Sequence, residues 1–369
     1  MAQDLYIGLM SGTSMDGVDG VLAGFAAGVQ VLRHASAPFP DALRAELMAL
    51  NASGPNELHR ACLAGNALMR VYADVVHVLL AETGVRASAV VAIGAHGQTV
   101  RHRPGQFDGT GYTIQLAQPA LLAELTGIEV VADFRSRDVA AGGQGAPLAP
   151  FFHQAVFGQG GGTTGVLNIG GISNLTLLRP GGGMLGFDCG PGNALMDGWC
   201  AQHTGAAYDE DGRWAACGSV IPALLDELLA QPYFALPPPK STGRDLFNRP
   251  WLDARLQGHA GAAPADVQAT LTELTARACA GEVLRHQPDL ASLIVCGGGA
   301  LNGALMGRLR ALLPNARVAS SADHGLPPQQ VEAAAFAWLA RKAVLREKLP
   351  LTSTTGARGA RVLGGIYPA

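Results

Sequence analysis

The 369-residue chain reads as an α/β protein of two domains, and three features predict it. Its length exceeds the size at which a single hydrophobic core stops growing. Short apolar runs alternate with longer stretches of helical spacing, the pattern of a parallel or mixed sheet with helices. An apolar strand, a glycine turn and a second apolar strand occur once in each half, which points to a duplicated architecture.

Residues 5–9 form an apolar strand that stops at a Gly/Ser/Thr turn, and residues 18–24 resume as a strand. Residues 42–50 and 57–82 have helical spacing, the second with Leu58, Cys62, Leu68, Val71 and Val75 on one face. Residues 90–93 are a buried strand running into Gly94-Ala95-His96-Gly97-Gln98-Thr99. The glycine-rich stretch 142–147 reads as a crossover, so the expected domains are 1–138 with 340–369, and 139–339. Residues 164–171 and 172–178 repeat the opening arrangement. The proline-rich stretch 232–239 and the polar residues after it read as a surface loop that could be a lid. Residues 266–285 are expected as a long amphipathic helix and 293–295 as a strand entering Cys296-Gly297-Gly298-Gly299. Residues 331–345 follow as an alanine-rich helix with one early acid, Glu332.

With 48% hydrophobic and 15% charged residues, the chain can bury its cores and leaves no room for long disorder. A net charge of -3, with no run of like charges, gives no footprint for nucleic acid or an anionic membrane, so the expected partner is a small molecule. No apolar stretch is read as reaching the roughly 20 residues of a membrane span. The opening Met1-Ala2-Gln3-Asp4 lacks the basic region of a secretory signal, and cytoplasmic placement is the expectation. The six cysteines show neither C-x-x-C pairing nor histidines at zinc-ligand spacing, which suits reduced, buried thiols.

Phosphate chains are held by backbone N–H groups with no side chain in the way, hence by glycine turns at strand ends. Three such turns are present. The first carries Gly12, Thr13, Ser14, Met15, Asp16, Gly17, Val18 and Asp19, and its hydroxyls and carboxylates could bond phosphate and orient a hydrated cation. The second carries Gly170, Gly171 and Asn174, and the third Gly297, Gly298 and Gly299. Ser, Thr, Asp and Gly are also ordinary turn residues, and glycines inside strands also mark bulges or close packing. Neither a G-x-x-x-x-G-K-[ST] loop nor a dinucleotide G-x-G-x-x-G occurs, so a nucleotide would be held in another way.

The run from Gly8 to Asp19 resembles the signature of the anhydro-N-acetylmuramic acid kinases, in the superfamily of sugar kinases, heat-shock chaperones and actin. The resemblance continues through His96 and its neighbours, Ala132-Asp133-Phe134-Arg135, the stretch 168–174, Phe187-Asp188-Cys189-Gly190-Pro191-Gly192-Asn193 and Gly297 to Ala300, and so spans nearly the whole chain. It implies a two-domain actin-like, ribonuclease H-like duplicated fold with ATP and sugar in an interdomain cleft. The first two turns would hold phosphates, the third adenosine, and Mg2+ would accompany the nucleotide through ligands the sequence leaves unknown. A homodimer is implied at family level. The implied reaction opens the 1,6-anhydro bridge with water while O6 takes the γ-phosphoryl group, giving N-acetylmuramic acid 6-phosphate and ADP in peptidoglycan recycling. In that family threonine usually follows the aspartate, where this chain has Cys189.

Opening the bridge requires a base to activate water. By resemblance that base is Asp188, expected at a strand end, with helix capping near Asn193 as the alternative. Glu332 by resemblance contacts the sugar, or else it is a helix N-terminal acid favoured by the macrodipole. His96 and Asp133 are expected to line the sugar pocket, with a buried structural histidine and a turn aspartate as alternatives. Arg135 is the candidate partner of the lactyl carboxylate, or a member of an ion pair. Two carboxylates would also suit a glycoside hydrolase, which leaves the glycine turns unexplained. A nucleotide-driven switch protein and another sugar or acetate kinase remain as further alternatives.

Overall fold

The computed structural model describes residues 4–12, 15–26, 28–158, 161–243 and 246–369. The chain opens with an antiparallel hairpin of β1 (Leu5–Met10) and β2 (Gly17–Gly24), widened by β3 (Gln30–Pro38). Helices α1 (Asp41–Ala49) and α2 (Glu57–Thr83) follow, α2 stopping at Gly84, whose φ of +68° supplies a left-handed cap. Next come β4 (Val90–Ala95), the hairpin β5 (Gln98–Pro104) and β6 (Gly111–Leu116), α3 (Pro119–Thr126), β7 (Val130–Ala132), α4 (Ser136–Ala140) and α5 (Ala149–Phe157). The second hairpin is β8 (Thr164–Ile169) and β9 (Ile172–Leu178), widened by β10 (Met184–Pro191). It is followed by α6 (Ala194–Thr204), α7 (Pro222–Leu229), α8 (Arg249–Leu256), α9 (Pro264–His286), β11 (Ser292–Cys296), α10 (Gly303–Leu312) and β12 (Arg317–Ser320). The chain ends with α11 (Val331–Val344) and β13 (Gly365–Tyr367).

Two compact units result, 1–152 with 329–369 and 153–328. These changeovers fall at 152/153 and 328/329, where the sequence suggested 138/139 and 339/340. A cut at 339/340 would divide α11, a continuous helix packed on β1 and β4. In unit 1 the sheet order is β13-β7-β4-β1-β2-β3, and in unit 2 it is β10-β9-β8-β11-β12. The strands β3-β2-β1-β4-β7 and β10-β9-β8-β11-β12 share order and direction: an antiparallel meander whose first strand runs parallel to the next two. The duplication read from the two hairpins therefore extends to whole sheets.

Helix α2 is long and apolar enough, by length and composition, to cross a membrane, which the sequence reading did not anticipate. Half of its most apolar window is buried, and Leu68, Met69, Tyr72, Val75, Val76 and Leu79 all belong to the core of unit 1. Those residues pack into the unit, whereas Leu58, Leu63 and Val78 of the same helix are exposed. Helix α9 is buried on nearly every side, including Gln268, Thr270, Thr272, Glu273, Thr275 and Glu282, so the amphipathic helix expected there is a core helix of unit 2. Residues 232–239 run mostly over the surface, as expected, but Tyr233 and Phe234 enter the unit 2 core.

Candidate functional site

In unit 1, β1 and β4 lie side by side with Gly8 opposite Gly94. A Cβ on Gly8 would stand 1.9 Å from the Ala333 carbonyl oxygen, and one on Gly94 2.1 Å from that of Phe336. The two glycines therefore seat α11 directly on the sheet, and Glu332, half-buried, is the second residue of that helix.

The strand β1 delivers the first turn. Ser11 is buried, with its hydroxyl 2.8 Å from Tyr72 Oη on α2 and donating to the Gly97 carbonyl at 3.0 Å. The Gln98 side-chain amide donates to the Gly12 carbonyl at 3.1 Å, and the buried Gln98 Oε1 has no hydrogen-bond partner among the described residues. Met15, at φ +54°, and Val18 place their side chains in the core. Gly17 opens β2, where a Cβ would lie 2.4 Å from the Ala37 carbonyl oxygen. Asp16 is exposed, and Asp19 Oδ1 lies 3.0 Å from His34 Nε2. Thr13 and Ser14 lie outside the described residues.

His96 ends this strand region with both ring nitrogens engaged. Nδ1 is 3.1 Å from the Ser11 carbonyl oxygen, which can only accept, so Nδ1 carries the proton. Nε2 then accepts from the Arg135 guanidinium, at 3.0 Å from Nη2 and 3.3 Å from Nε. Burial, reinforced by the Arg135 charge, lowers the His96 pKa to about 3. Arg135 Nη1 also donates to the Gly145 carbonyl at 2.8 Å. His96 is thus a neutral support that orients Arg135. Asp133 is exposed at φ +55°, and its carboxylate accepts from the Ser136 N–H at 3.2 Å, a local turn contact.

In unit 2 the second and third turns come together. The Gly170 and Gly171 carbonyls accept from the backbone of Gly192, Asn193 and Ala194, docking the start of α6. Asn193 Nδ2 donates to the Ile169 carbonyl at 3.1 Å. Gly297, at φ +77°, leaves room for only 2.6 Å between an added Cβ and Asn168 Oδ1, and one on Gly299 would meet Ile169 Cγ2 at 2.4 Å. Gly298 faces Asn193, its added Cβ falling 3.4 Å from Nδ2. The sheet carries a polar row beside this group: strand pairing sets Cys296 opposite Asn168, Asn168 opposite Asn174, and Asn174 opposite Asp188. Leu167, Leu175 and Phe187, which alternate with them, go to the core. Among the described residues, Asn174 Oδ1 and Thr242 Oγ1 are buried without hydrogen-bond partners.

Asp188 lies inside β10 rather than at a strand end, because the strand bulges there: Asp188 faces Asn174 while Gly190 already faces Ser173. Its carboxylate accepts from the Thr242 N–H at 3.0 Å, a contact with a segment 54 residues away. Cys189, the extra residue of the bulge, turns into the core. Burial, and next the neighbouring Cys279 thiol, push its thiol well above the ordinary range. A residue at 189 therefore packs on the far side of the strand from the polar row. Sequence reasoning did not single out Gln98, Tyr233, Lys240, Thr242 or Glu282, whose contacts join residues 42 to 86 positions apart and leave no local signal.

The duplicated halves, each with the same five-strand order, define an actin-like α/β protein. A solved structure with that fold, (R)-2-hydroxyglutaryl-CoA dehydratase component A from Acidaminococcus fermentans, superposes with a TM-score of 0.50 over 90% of this chain and 96% of its own, at 11% identity. The family model described as anhydro-N-acetylmuramic acid kinase matches residues 4–369. Relatives carrying that name are 67% identical in Variovorax paradoxus, covering 100% of both chains, and 61% identical in Albidiferax ferrireducens, covering 99% of this chain and 100% of the relative. The chain belongs to the anhydro-N-acetylmuramic acid kinase family and is a sugar kinase.

Proposed function

We propose that the chain uses ATP and magnesium to open 1,6-anhydro-N-acetylmuramic acid hydrolytically and phosphorylate it, giving N-acetylmuramic acid 6-phosphate and ADP. Asp188 takes a proton from water as the water oxygen bonds to the anomeric carbon. The bond from that carbon to O6 breaks, and O6 bonds to the γ-phosphorus as ADP leaves. The observation that carries this reading is the Asp188 carboxylate, held by the Thr242 N–H in the polar row of unit 2, away from the core. As the base it would take the proton in its carboxylate form.

Gly170, Gly171 and Gly297 to Gly299 serve the nucleotide in unit 2, where bare backbone lets phosphate and nucleoside approach. In unit 1 the turn from Gly12 to Asp19 contributes backbone groups, since the Met15 and Val18 side chains are core. Arg135 receives the lactyl carboxylate, which its planar fork matches. Glu332, and Asp133 once released from its turn contact, bind sugar hydroxyls, while His96 acts through Arg135. No group of three or more His, Cys, Asp or Glu side chains suited to a metal occurs among the described residues. Magnesium would be held mainly by nucleotide phosphates and water, with Asp16 of the first turn as its one protein carboxylate. The setting is cytoplasmic peptidoglycan recycling, with a homodimer as the working assembly.

The test is incubation with ATP, magnesium and the anhydro sugar in H2(18)O, followed by mass spectrometry. Sugar 6-phosphate with one labelled oxygen at the anomeric carbon supports coupled hydrolysis and transfer. Phosphorylated sugar retaining its bridge, or ADP formed without sugar phosphate, rejects it.

A further inference from the structure

The segment 232–242 touches the bulge of β10 at several points. Tyr233 Oη donates to the Asp188 carbonyl at 2.7 Å, the Asp188 N–H donates to the Lys240 carbonyl at 3.2 Å, and the Thr242 N–H donates to Asp188 Oδ2 at 3.0 Å. The Phe234 ring fills the space beside Gly190, where an added Cβ would be 2.6 Å from its edge. Both backbone polar groups of Asp188 and one carboxylate oxygen are therefore tied to a single stretch of chain.

That stretch is itself anchored by charge. Lys240 Nζ pairs with Glu282 Oε1 of α9 at 3.0 Å, with both side chains only 3% exposed. The ammonium also donates to the Tyr233 carbonyl at 3.4 Å and lies 4.8 Å from the centroid of the Tyr233 ring. Arg285 bridges the same acid to the Phe234 carbonyl, at 3.0 Å to each. Burial, and next the Asp188 charge, push the Tyr233 phenol far up, so it remains a donor. A buried ion pair adds little net stability over apolar residues of the same volume, whereas it fixes geometry through directional contacts. We infer that Tyr233, Lys240 and Glu282 are positioning residues that set the Asp188 carboxylate for proton abstraction. The inference rests on the proposed function, in which Asp188 is the base.

The experiment measures steady-state kinetics and melting of the full-length protein with ATP and the anhydro sugar. Tyr233→Phe removes only the hydroxyl; it is expected to lower kcat about tenfold, with KM for both substrates within about twofold and melting nearly unchanged, because small misplacement of a reacting group is costly. Lys240→Met and Glu282→Gln each strand a buried partner and should lower both melting temperature and kcat. The double variant Lys240→Met/Glu282→Met should recover melting temperature without recovering kcat. A Tyr233→Phe enzyme with wild-type kcat, or a double variant whose kcat returns along with its melting temperature, overturns the positioning role. Asp188→Asn run in parallel separates the two readings. If it is inactive while Tyr233→Phe is unaffected, only the positioning role falls. If it keeps full turnover, or wild type never turns over the sugar, the base assignment falls and this inference with it.

Discussion

Asparagine at position 188 would still accept from the Thr242 N–H but could not take a proton. Asp188→Asn is therefore expected to lower kcat by at least about 10²-fold, the low end of general-base catalysis, while calorimetry shows nearly unchanged binding of ATP and sugar. Retained turnover would take the base role from Asp188. His96 calls for a different measurement, because its ring bonds Arg135 and Ser11 and stays neutral. His96→Ala should raise the KM for sugar about tenfold, one lost oriented contact, with the KM for ATP unchanged. An unaltered sugar KM would detach Arg135 from the substrate carboxylate. The sequence motif pointed to Asp188, His96 and Arg135, but not to their connections. The Arg135–His96 contact spans 39 residues and the Asp188–Thr242 contact 54, and such pairings arise only when the sheets assemble.

Among the elements, α11 shows how a glycine can serve packing and position together. A methyl at Gly94 would fall within 2.1 Å of a helix carbonyl, and backbone cannot rotate away as a side chain can. Gly94→Ala should displace α11, costing about 3 kcal/mol by overpacking, or roughly 6–12 °C in the melting of unit 1. Thermal denaturation reads the loss, and a change of under about 2 °C would show that α11 moves freely over the sheet. Strand and helix positions were legible here because apolar period and glycine stops coincide, as at β1, β4 and α2. Helix α9 was legible as a helix but not as a buried one, since Thr272, Thr275 and Glu282 look like a solvent face. Each instead has a buried partner: Met196, the Pro191 and Gly192 carbonyls, and Lys240. In the proline-rich segment the surface course was legible, whereas the inward packing of Tyr233 and Phe234 was not.

At the scale of the whole molecule the duplication was readable, because a strand, glycine turn and strand recur in both halves; the changeovers were not, because α5 and α11 run on without local breaks. Each unit also holds one fully buried neutral imidazole, His96 in unit 1 and His153 in unit 2. Burial lowers both pKa values to about 3, from an ordinary 6.5. The unfolded chain binds these protons first as pH falls, so the stability contribution of each is complete above about pH 6.5 and is lost progressively toward pH 3, at about 1.4 kcal/mol per pH unit. Asp138 acts in the opposite sense, since burial raises its carboxyl and favours the protonated folded form at low pH. A difference measurement removes it. Urea midpoints of wild type and His153→Asn between pH 7.5 and 5 should converge as pH drops, because the variant lacks the proton that only the unfolded wild type takes up, while its lost contact with Thr176 Oγ1 at 2.9 Å lowers its midpoint at every pH. Parallel midpoint curves would mean that His153 takes up its proton as readily in the folded protein as in the unfolded chain, so that its buried site would have to admit water.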